Sequence, residues 1–124
     1  MKTEIQEVTK QHLTIDYVAR MVCMMYQIDT WGHGRQVNVS LLRSRLRNKE
    51  YRYPRNMFVK LCFDLKLDRE ETARWLDNRD RTTLLNNYKR ATSDIIVYSN
   101  DRRIYEAIMS DINNALNEGK LIRS

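Results

Sequence analysis

Apolar side chains recur every three or four residues along most of this 124-residue chain, which is the spacing of amphipathic helices. The clearest row lies near the C-terminus and consists of Ile104, Ile108, Ile112 and Leu116. No segment alternates apolar and polar residues for long enough to predict a strand. Three glycines and one proline are also too few for a loop-rich fold. The pattern therefore predicts an all-α fold of roughly six helices in a single domain.

Capping residues and helix breakers set the expected helix boundaries. Helices are expected over residues 13–28, 39–47, 54–65, 70–76, 80–91 and 100–117. Pro54 is expected at the first position of its helix, where a missing N–H costs nothing, so that residues 47–53 form a loop. The expected N-terminal caps of the first, fourth and fifth helices are Thr14, Asp68 and Asp80. Asn78 is expected to end the fourth helix, and Gly119 the last. Residues 95–97 either extend the fifth helix or pack as a turn.

The cysteines and the hydropathy pattern are typical of a reduced cytoplasmic protein. Cys23 and Cys62 each lie inside an apolar helical pattern, which predicts reduced core residues rather than a disulfide framework. No apolar run is long enough to cross a membrane, and the first residues have no signal-peptide pattern. No membrane partner is therefore expected.

The net charge of +6 is concentrated in one short segment, residues 43–60. This basic segment contains a single acidic residue, and its basic residues are Arg43, Arg45, Arg47, Lys49, Arg52, Arg55 and Lys60. The rest of the chain has equal numbers of basic and acidic residues, so it is neutral. A focused basic patch attracts polyanions, and arginine is the residue best suited to bidentate phosphate contacts. The segment therefore predicts a surface that binds nucleic-acid phosphates.

Two short predicted helices, 70–76 and 80–91, are separated by a short turn, which is the arrangement of a helix-turn-helix. In that motif the second helix enters the major groove of DNA, and its first residues contact base edges. Here those positions hold Asp80, Arg81 and Thr82. Arginine bonds guanine, threonine contacts a thymine methyl group, and aspartate accepts from cytosine. The pattern favours a reader of duplex DNA, and a capped helix in an ordinary bundle is the alternative.

Three segments resemble the C-terminal DNA-binding domain of the bacterial replication initiator DnaA, a helix-turn-helix domain similar to that of the Trp repressor. Residues 77–84 read Asp-Asn-Arg-Asp-Arg-Thr-Thr-Leu and are similar to the family's Gly-Gly-Arg-Asp-His-Thr-Thr-Val segment. Residues 13–16 resemble its Ile-Thr-Ile-Asp helix start, and residues 53–57 its Arg-Pro-Arg-Gln-Met element. Order and approximate spacing agree over nearly the whole chain. The resemblance implies one DnaA-like domain over residues 1–124, with its core at 12–118.

The resemblance also implies a role for each matching residue. Base contacts in the major groove are implied for Asp80, Arg81 and Thr82. Phosphate contacts are implied for Arg55, Asn56 and Thr83, and are expected as well for Arg79 and Lys60. A contact in the adjacent minor groove is implied for one residue of the basic loop, with Arg47, Lys49 and Arg52 as equal candidates. The expected partner is double-stranded DNA in replication or transcription control, including that of a mobile element, with a nucleoid-associated location.

Four departures from the family pattern limit what the resemblance implies. Arg81 stands where the family has histidine, so the recognised sequence need not be the family's own. Asp77 and Asn78 replace two glycines, which changes the charge of the turn. Residues 29–36 resemble an insertion between the first two helices. No glycine-rich phosphate loop followed by Lys and Ser/Thr is present, so neither nucleotide binding nor ATP-driven origin melting is expected.

The sequence contains no recognisable catalytic, metal or cofactor site. His12 and His33 lack the Cys or carboxylate partners of a metal site, and no Ser, Cys or His lies in a nucleophile setting. The protein is therefore expected not to be an enzyme. The main alternative function is a protein-interaction module that keeps the fold and modulates a host initiator or polymerase. RNA binding is a third option, although no stacking motif is present.

Overall fold

Six helices and a pair of short strands make up the part of the chain described by a computed structural model, residues 11–29, 37–45 and 49–123. In chain order the elements are β1 (Gln11–Leu13), α1 (Ile15–Asp29), α2 (Val39–Arg43), α3 (Lys49–Asp64), α4 (Arg69–Trp75), α5 (Arg81–Val97), α6 (Ser99–Asn117) and β2 (Leu121–Arg123). The predicted all-α fold is confirmed. Arg47 and residues 30–36 of the predicted insertion lie outside the described residues.

Helix α3 forms the centre of the core because it is buried on every side from residue 54 to residue 63. It packs against α1, α2, α5 and α6. Its side chains with at most 1% exposure include Met57, Phe58, Leu61 and Cys62. The predicted row on α6 is also inside, since its three isoleucines are fully buried and Leu116 is half-buried. Because α5 packs along α3, its opposite face is left on the surface.

Side-chain caps begin α1 and α4 at the predicted positions. Thr14 Oγ1 accepts a hydrogen bond from the backbone N–H of Tyr17 at 3.1 Å, at the start of α1. Asp68 Oδ1 accepts from the backbone N–H of Glu70 at 2.9 Å, at the start of α4. At the end of α6, Gly119 adopts a left-handed conformation with a φ of 74°, as its position predicts. These helix ends can be predicted from the sequence because each involves only one residue and the backbone next to it.

The beginning of α3 shows that the predicted loop at residues 47–53 is wrong from Lys49 onwards. The helix begins at Lys49, so Pro54 lies inside it rather than at its first position. Residues 51–53 are half-buried, and the ring of Tyr53 lies 6.3 Å from the ring of Tyr98. In residues 51–53 the buried surface belongs to aromatic rings and to the long aliphatic stem of an arginine rather than to aliphatic residues. The apolar period therefore does not reveal this part of the helix.

Residues 95–97 extend the fifth helix rather than form a turn, because α5 continues without a break to Val97. Ile95 packs on the core. Ile96 and Val97, by contrast, are 71% and 68% exposed, and the following Tyr98 is 49% exposed. We refer to residues 96–98 as the apolar patch, because exposed hydrophobic groups that lie together often mark a contact surface.

A parallel strand pair, which the sequence pattern does not predict, joins the two ends of the described chain. Gln11 lies opposite Leu121, and Leu13 lies opposite Arg123. The side chains of Leu13 and Leu121 are 2% and 3% exposed, so both belong to the core. The packed structure thus continues past residue 118. Strands of three residues are too short for an alternation of period two to be visible.

Both cysteines are buried and neither forms a disulfide, as predicted for core residues. Burial raises the pKa of the Cys23 thiol to about 11. Burial also raises the pKa of the Cys62 thiol, against the opposing effect of a hydrogen bond with Thr72. Thiols with a raised pKa remain protonated and unreactive at neutral pH.

No helix in the described parts of the chain combines the length and the apolar character that a membrane span requires. The longest helix, α6, is amphipathic: its buried isoleucines line one side, and residues such as Arg102, Glu106 and Asn113 are exposed on the other. This division of sides is that of a helix lying on a protein core.

A buried polar group on α5 provides a test of the packing. The side-chain nitrogen of Asn87 is buried without a hydrogen-bond partner among the described residues. Asn87→Ala is expected to raise the free energy of unfolding by about 1 kcal/mol, because it removes an unsatisfied donor and introduces a better helix former. Urea denaturation measures the gain. Asn113→Ala, at an exposed position of α6, is the matched control. An equal rise in the free energy of unfolding for Asn113→Ala would show that the buried amide of Asn87 does not destabilise the fold.

Candidate nucleic-acid interface

The turn that joins α4 to α5 has a backbone conformation that glycine adopts most readily. Asp77 and Asn78 both have positive φ angles, of 65° and 58°. Asparagine and aspartate are the other residues that enter the left-handed region most often. The left-handed stop predicted at Asn78 is thus confirmed, and Asp77 shares it. The two residues that replace glycines in the resembling segment are therefore compatible with a tight left-handed turn.

Asp80 begins α5 as the sequence predicts. Its Oδ1 accepts a hydrogen bond from the backbone N–H of Thr83 at 2.8 Å. Hydrogen bonds from Thr83, with a smaller contribution from the backbone of Thr82, hold the pKa of Asp80 below its ordinary value. The carboxylate is therefore charged at neutral pH and engaged in the helix cap. This cap fixes the direction in which the next side chains project.

Arg81 and Thr82 follow the cap, and both are exposed. The Arg81 side chain is 88% exposed, and its guanidinium lies 3.8 Å from the carboxylate of Glu70. Because an exposed ion pair contributes little, Arg81 can exchange this contact for a ligand at small cost. Thr83 is half-buried. The structure thus brings the four predicted residues 80–83 together at the start of α5.

Two arginines tie the basic segment to this turn. Arg45 donates to the backbone carbonyl of Asp77 at 2.9 Å and lies 3.4 Å from its carboxylate. Arg79, which is half-buried, donates to the backbone carbonyl of Ser44 at 2.6 Å. We call these contacts the arginine clamp. Burial and the nearby charge of Arg45 lower the pKa of Arg79, and the carboxylate of Asp77 opposes that shift.

Beside the arginine clamp, a tryptophan ring packs against a further arginine. The Arg43 guanidinium lies 5.1 Å from the ring centroid of Trp75 and donates to its backbone carbonyl at 2.6 Å. Such a contact between a cation and an aromatic face is favourable even at an exposed site. The end of α2 and the end of α4 therefore bring Arg43 close to the arginine clamp, with the carboxylate of Asp77 beside it.

Arg55 is buried, which argues against the phosphate contact predicted for it. The residue is 5% exposed, and its guanidinium donates to the carbonyls of Leu42 at 2.9 Å and Leu41 at 3.3 Å. Burial, together with repulsion from Arg79, lowers the pKa of Arg55 to about 10. The side chain connects α3 to the end of α2. With 5% exposure and with its donors engaged by these carbonyls, the side chain offers little surface to a DNA phosphate.

Lys60 is also buried, at 6% exposure, so its predicted phosphate contact does not fit this structure either. Its ammonium forms an ion pair with Asp64 at 3.0 Å. It also lies over the rings of Tyr88 and Tyr105, at 4.6 Å and 5.1 Å from their centroids. Asp64 accepts hydrogen bonds from both tyrosine hydroxyls. This partly buried network joins α3 to α5 and α6.

A cleft of about 370 Å³ lies between the first half of α3 and the middle of α5. The residues that line it are Arg52, Tyr53, Asn56, Lys89, Arg90, Ser93 and Asp94. Asn56 is only 3% exposed, yet it is one of the residues that line the cleft. Burial and then the charge of Asp101 raise the pKa of Asp94, while Arg52 and Arg90 lower it. The cleft therefore combines three cationic side chains with a single carboxylate.

Lys89 and Arg90 were not among the residues predicted from the sequence. They are exposed on α5, whereas the charge excess draws attention only to residues 43–60. Helical periodicity is the signal that finds Lys89, because it lies two turns beyond Thr82 on the same side of α5. The exposed cations of the candidate interface therefore extend further along α5 than its first turn.

The three candidates for the minor-groove contact are not members of one described loop. Lys49 is the first residue of α3, and Arg52 lies in its next turn with its guanidinium 5.7 Å from the ring centroid of Tyr53. Arg47 lies outside the described residues. The structure therefore moves two of the candidates from a loop onto a helix, and Arg52 onto the wall of the cleft.

Comparisons of the chain with protein-family models, curated protein sequences and solved structures find no match. In the described portions of the chain, no group of three His, Cys, Asp or Glu side chains is arranged to hold a metal ion. What the interface does is therefore inferred from its geometry, its charge and the resemblance of its sequence.

Proposed function

We propose that this chain is a sequence-specific, double-stranded DNA-binding domain of the helix-turn-helix type, without ATPase activity. The observation that carries the proposal is the exposed start of α5, where the Asp80 cap presents Arg81 and Thr82 to solvent beside the arginine clamp. The resemblance of three segments to the C-terminal domain of DnaA supports the same function. It also favours a role in replication or transcription control, at the nucleoid.

In this proposal the first turn of α5 enters the major groove. Arg81 donates two hydrogen bonds to the O6 and N7 atoms of guanine, and Thr82 contacts the methyl group of thymine. Asp80 caps the helix with one oxygen and accepts from the amino group of cytosine with the other. Contacts with the adjacent phosphates are assigned to Thr83 and Arg79, which flank the Asp80 cap and are both half-buried.

Most phosphate contacts are assigned to exposed cations rather than to the buried Arg55 and Lys60. Lys89 and Arg90 are exposed on α5, and Arg45 is exposed at the arginine clamp. Contacts of this kind set the position of a protein on the duplex without reading its sequence. They also make the affinity fall steeply with salt, because bound phosphates release counterions.

Electrophoretic mobility shifts against random duplexes, followed by selection of bound sequences, test the proposed function. We expect binding near physiological salt and the enrichment of one sequence. Absence of binding to any duplex under those conditions would contradict the proposal.

The apolar patch favours a second candidate function, a protein-interaction module. Ile96 and Val97 expose about 70% of their surface at the end of α5, away from the cap. A salt titration separates the two functions. Affinity for DNA falls steeply with salt, whereas affinity for a partner that covers the apolar patch changes little.

Arg81→Ala is expected to relax specificity at one or two base pairs and to weaken binding to the preferred site by about 1–3 kcal/mol. The reason is the loss of the bidentate contact to guanine. Binding measurements on the selected duplex and on its single-base variants check this result. Lys89→Ala is the matched control, and we expect it to weaken binding to all sequences similarly. If both variants weaken every duplex equally, the assignment of Arg81 to a base is wrong.

A further inference from the structure

The outward face of α5 continues well past its first turn. An exposed row consists of Thr82, Asn86, Lys89 and Ser93. Residues at such intervals lie on one side of a helix. With a rise of 1.5 Å per residue, Asn86 lies about 6 Å beyond Thr82 along the helix axis, close to the spacing of two base pairs. The opposite side of α5 packs on α3, so this row is the side that a ligand can reach.

Asn86 differs in chemistry from the other members of the row. Its amide donates and accepts at the same time, which matches the N6 amino group and the N7 atom of adenine in the major groove. Among the described residues, no hydrogen bond or ion pair engages the Asn86 side chain. Forming a bidentate contact to a base therefore breaks no contact within the described protein.

The cationic cleft indicates which side of α5 the DNA backbone covers. Lys89 and Arg90 line this cleft from α5, and Arg52 lines it from α3. Lys89 is also the next member of the exposed row after Asn86. When a phosphate strand of DNA lies in the cleft, the base edges of the major groove face the second turn of α5, between Thr82 and Lys89.

We propose that Asn86 is a second base-reading residue, which recognises adenine in the major groove one turn beyond Arg81 and Thr82. The inference rests on the proposed DNA-binding function and deepens it, because it lengthens the recognised sequence. Base reading then extends over the first two turns of α5, and Lys89 provides the phosphate contact that follows.

Sequence selection with the wild type and three variants tests the inference. The wild type is expected to select a site with a fixed adenine about two base pairs from the guanine read by Arg81. Asn86→Ala is expected to lower the preference for that adenine by roughly 5- to 150-fold and to leave the other positions unchanged. Asn86→Asp is expected to move the preference at that position towards cytosine, because a carboxylate accepts from the cytosine amino group.

Asn87→Ala is the matched control, since Asn87 is the neighbouring asparagine and is half-buried. Its selected sequence should equal that of the wild type, and circular dichroism should show all three variants folded. If the wild type selects no sequence, the proposed function itself is contradicted. If the wild type selects a site and both Asn86 variants select it with the same preferences, the role of Asn86 is overturned while DNA binding stands. Equal weakening at all sequences also overturns it.

Discussion

Replacement of Arg55 by alanine is expected to lower the free energy of unfolding by about 3 kcal/mol. The buried guanidinium bonds the carbonyls of Leu41 and Leu42, and its removal leaves these acceptors facing a cavity. Urea denaturation checks the change. Below its melting temperature, the folded variant should bind DNA with nearly the affinity of the wild type, because Arg55 does not reach the surface.

Lys89→Ala provides the opposite pattern. Lys89 is exposed, so its replacement should change the free energy of unfolding by less than about 0.5 kcal/mol while it weakens DNA binding. The two variants together separate folding from binding. If Arg55→Ala keeps the stability of the wild type and loses DNA affinity, the phosphate role implied by the resemblance is correct and the structural role is wrong.

Asp64→Ala is also expected to destabilise the fold by roughly 3 kcal/mol, because it leaves the buried ammonium of Lys60 without its carboxylate. Burial raises the pKa of Asp64, but hydrogen bonds from Tyr105, Tyr88 and Lys60 outweigh that effect and hold the pKa below its ordinary value of 3.8. The charged carboxylate therefore stabilises the fold above that pH. This contribution is lost as the pH falls through the folded-state pKa.

Denaturation of the wild type and of Asp64→Ala over a range of pH tests the assignment. The difference between the two proteins should be largest near neutral pH and should shrink as the pH falls below about 3.8. Asp111→Ala, at an exposed position of α6, is the matched control and should change little. Lys60→Met combined with Asp64→Leu should recover much of the loss, because it removes both charges. No recovery would show that the unpaired charge is not the cause.

Elements whose signals are local could be predicted from the sequence. The row of isoleucines on α6 and the caps at Thr14, Asp68 and Asp80 need only neighbouring residues, and the structure has them at the expected places. The start of α3 could not be predicted, since the ring that packs against Tyr53 belongs to Tyr98, far along the chain. Parallel strands at the two ends depend in the same way on distant partners.

The residues of the candidate interface show the same difference between local sequence signals and contacts that depend on distant residues. The position of Arg81 and Thr82 in the first turn after a capped helix start follows from the local sequence, and both are exposed. The burial of Arg55 and Lys60 does not, because charge counted along a sequence contains no information on depth. The carbonyls that bind Arg55 come from α2, and two of the aromatic rings around Lys60 come from α5 and α6. Some of the basic residues that make up the charge excess in residues 43–60 therefore stabilise the fold rather than form a surface for a ligand.

The parallel pairing of β1 with β2 has a mechanical consequence. Because the two strands run in the same direction, the chain enters the pair beside Leu121 and leaves it beside Leu13. A pulling force applied through Gln11 and Arg123 therefore acts along the strands, and it loads all the hydrogen bonds of the pair at once rather than one after another. Tension between Gln11 and Arg123 therefore has to slide the two strands past each other rather than separate them one hydrogen bond at a time.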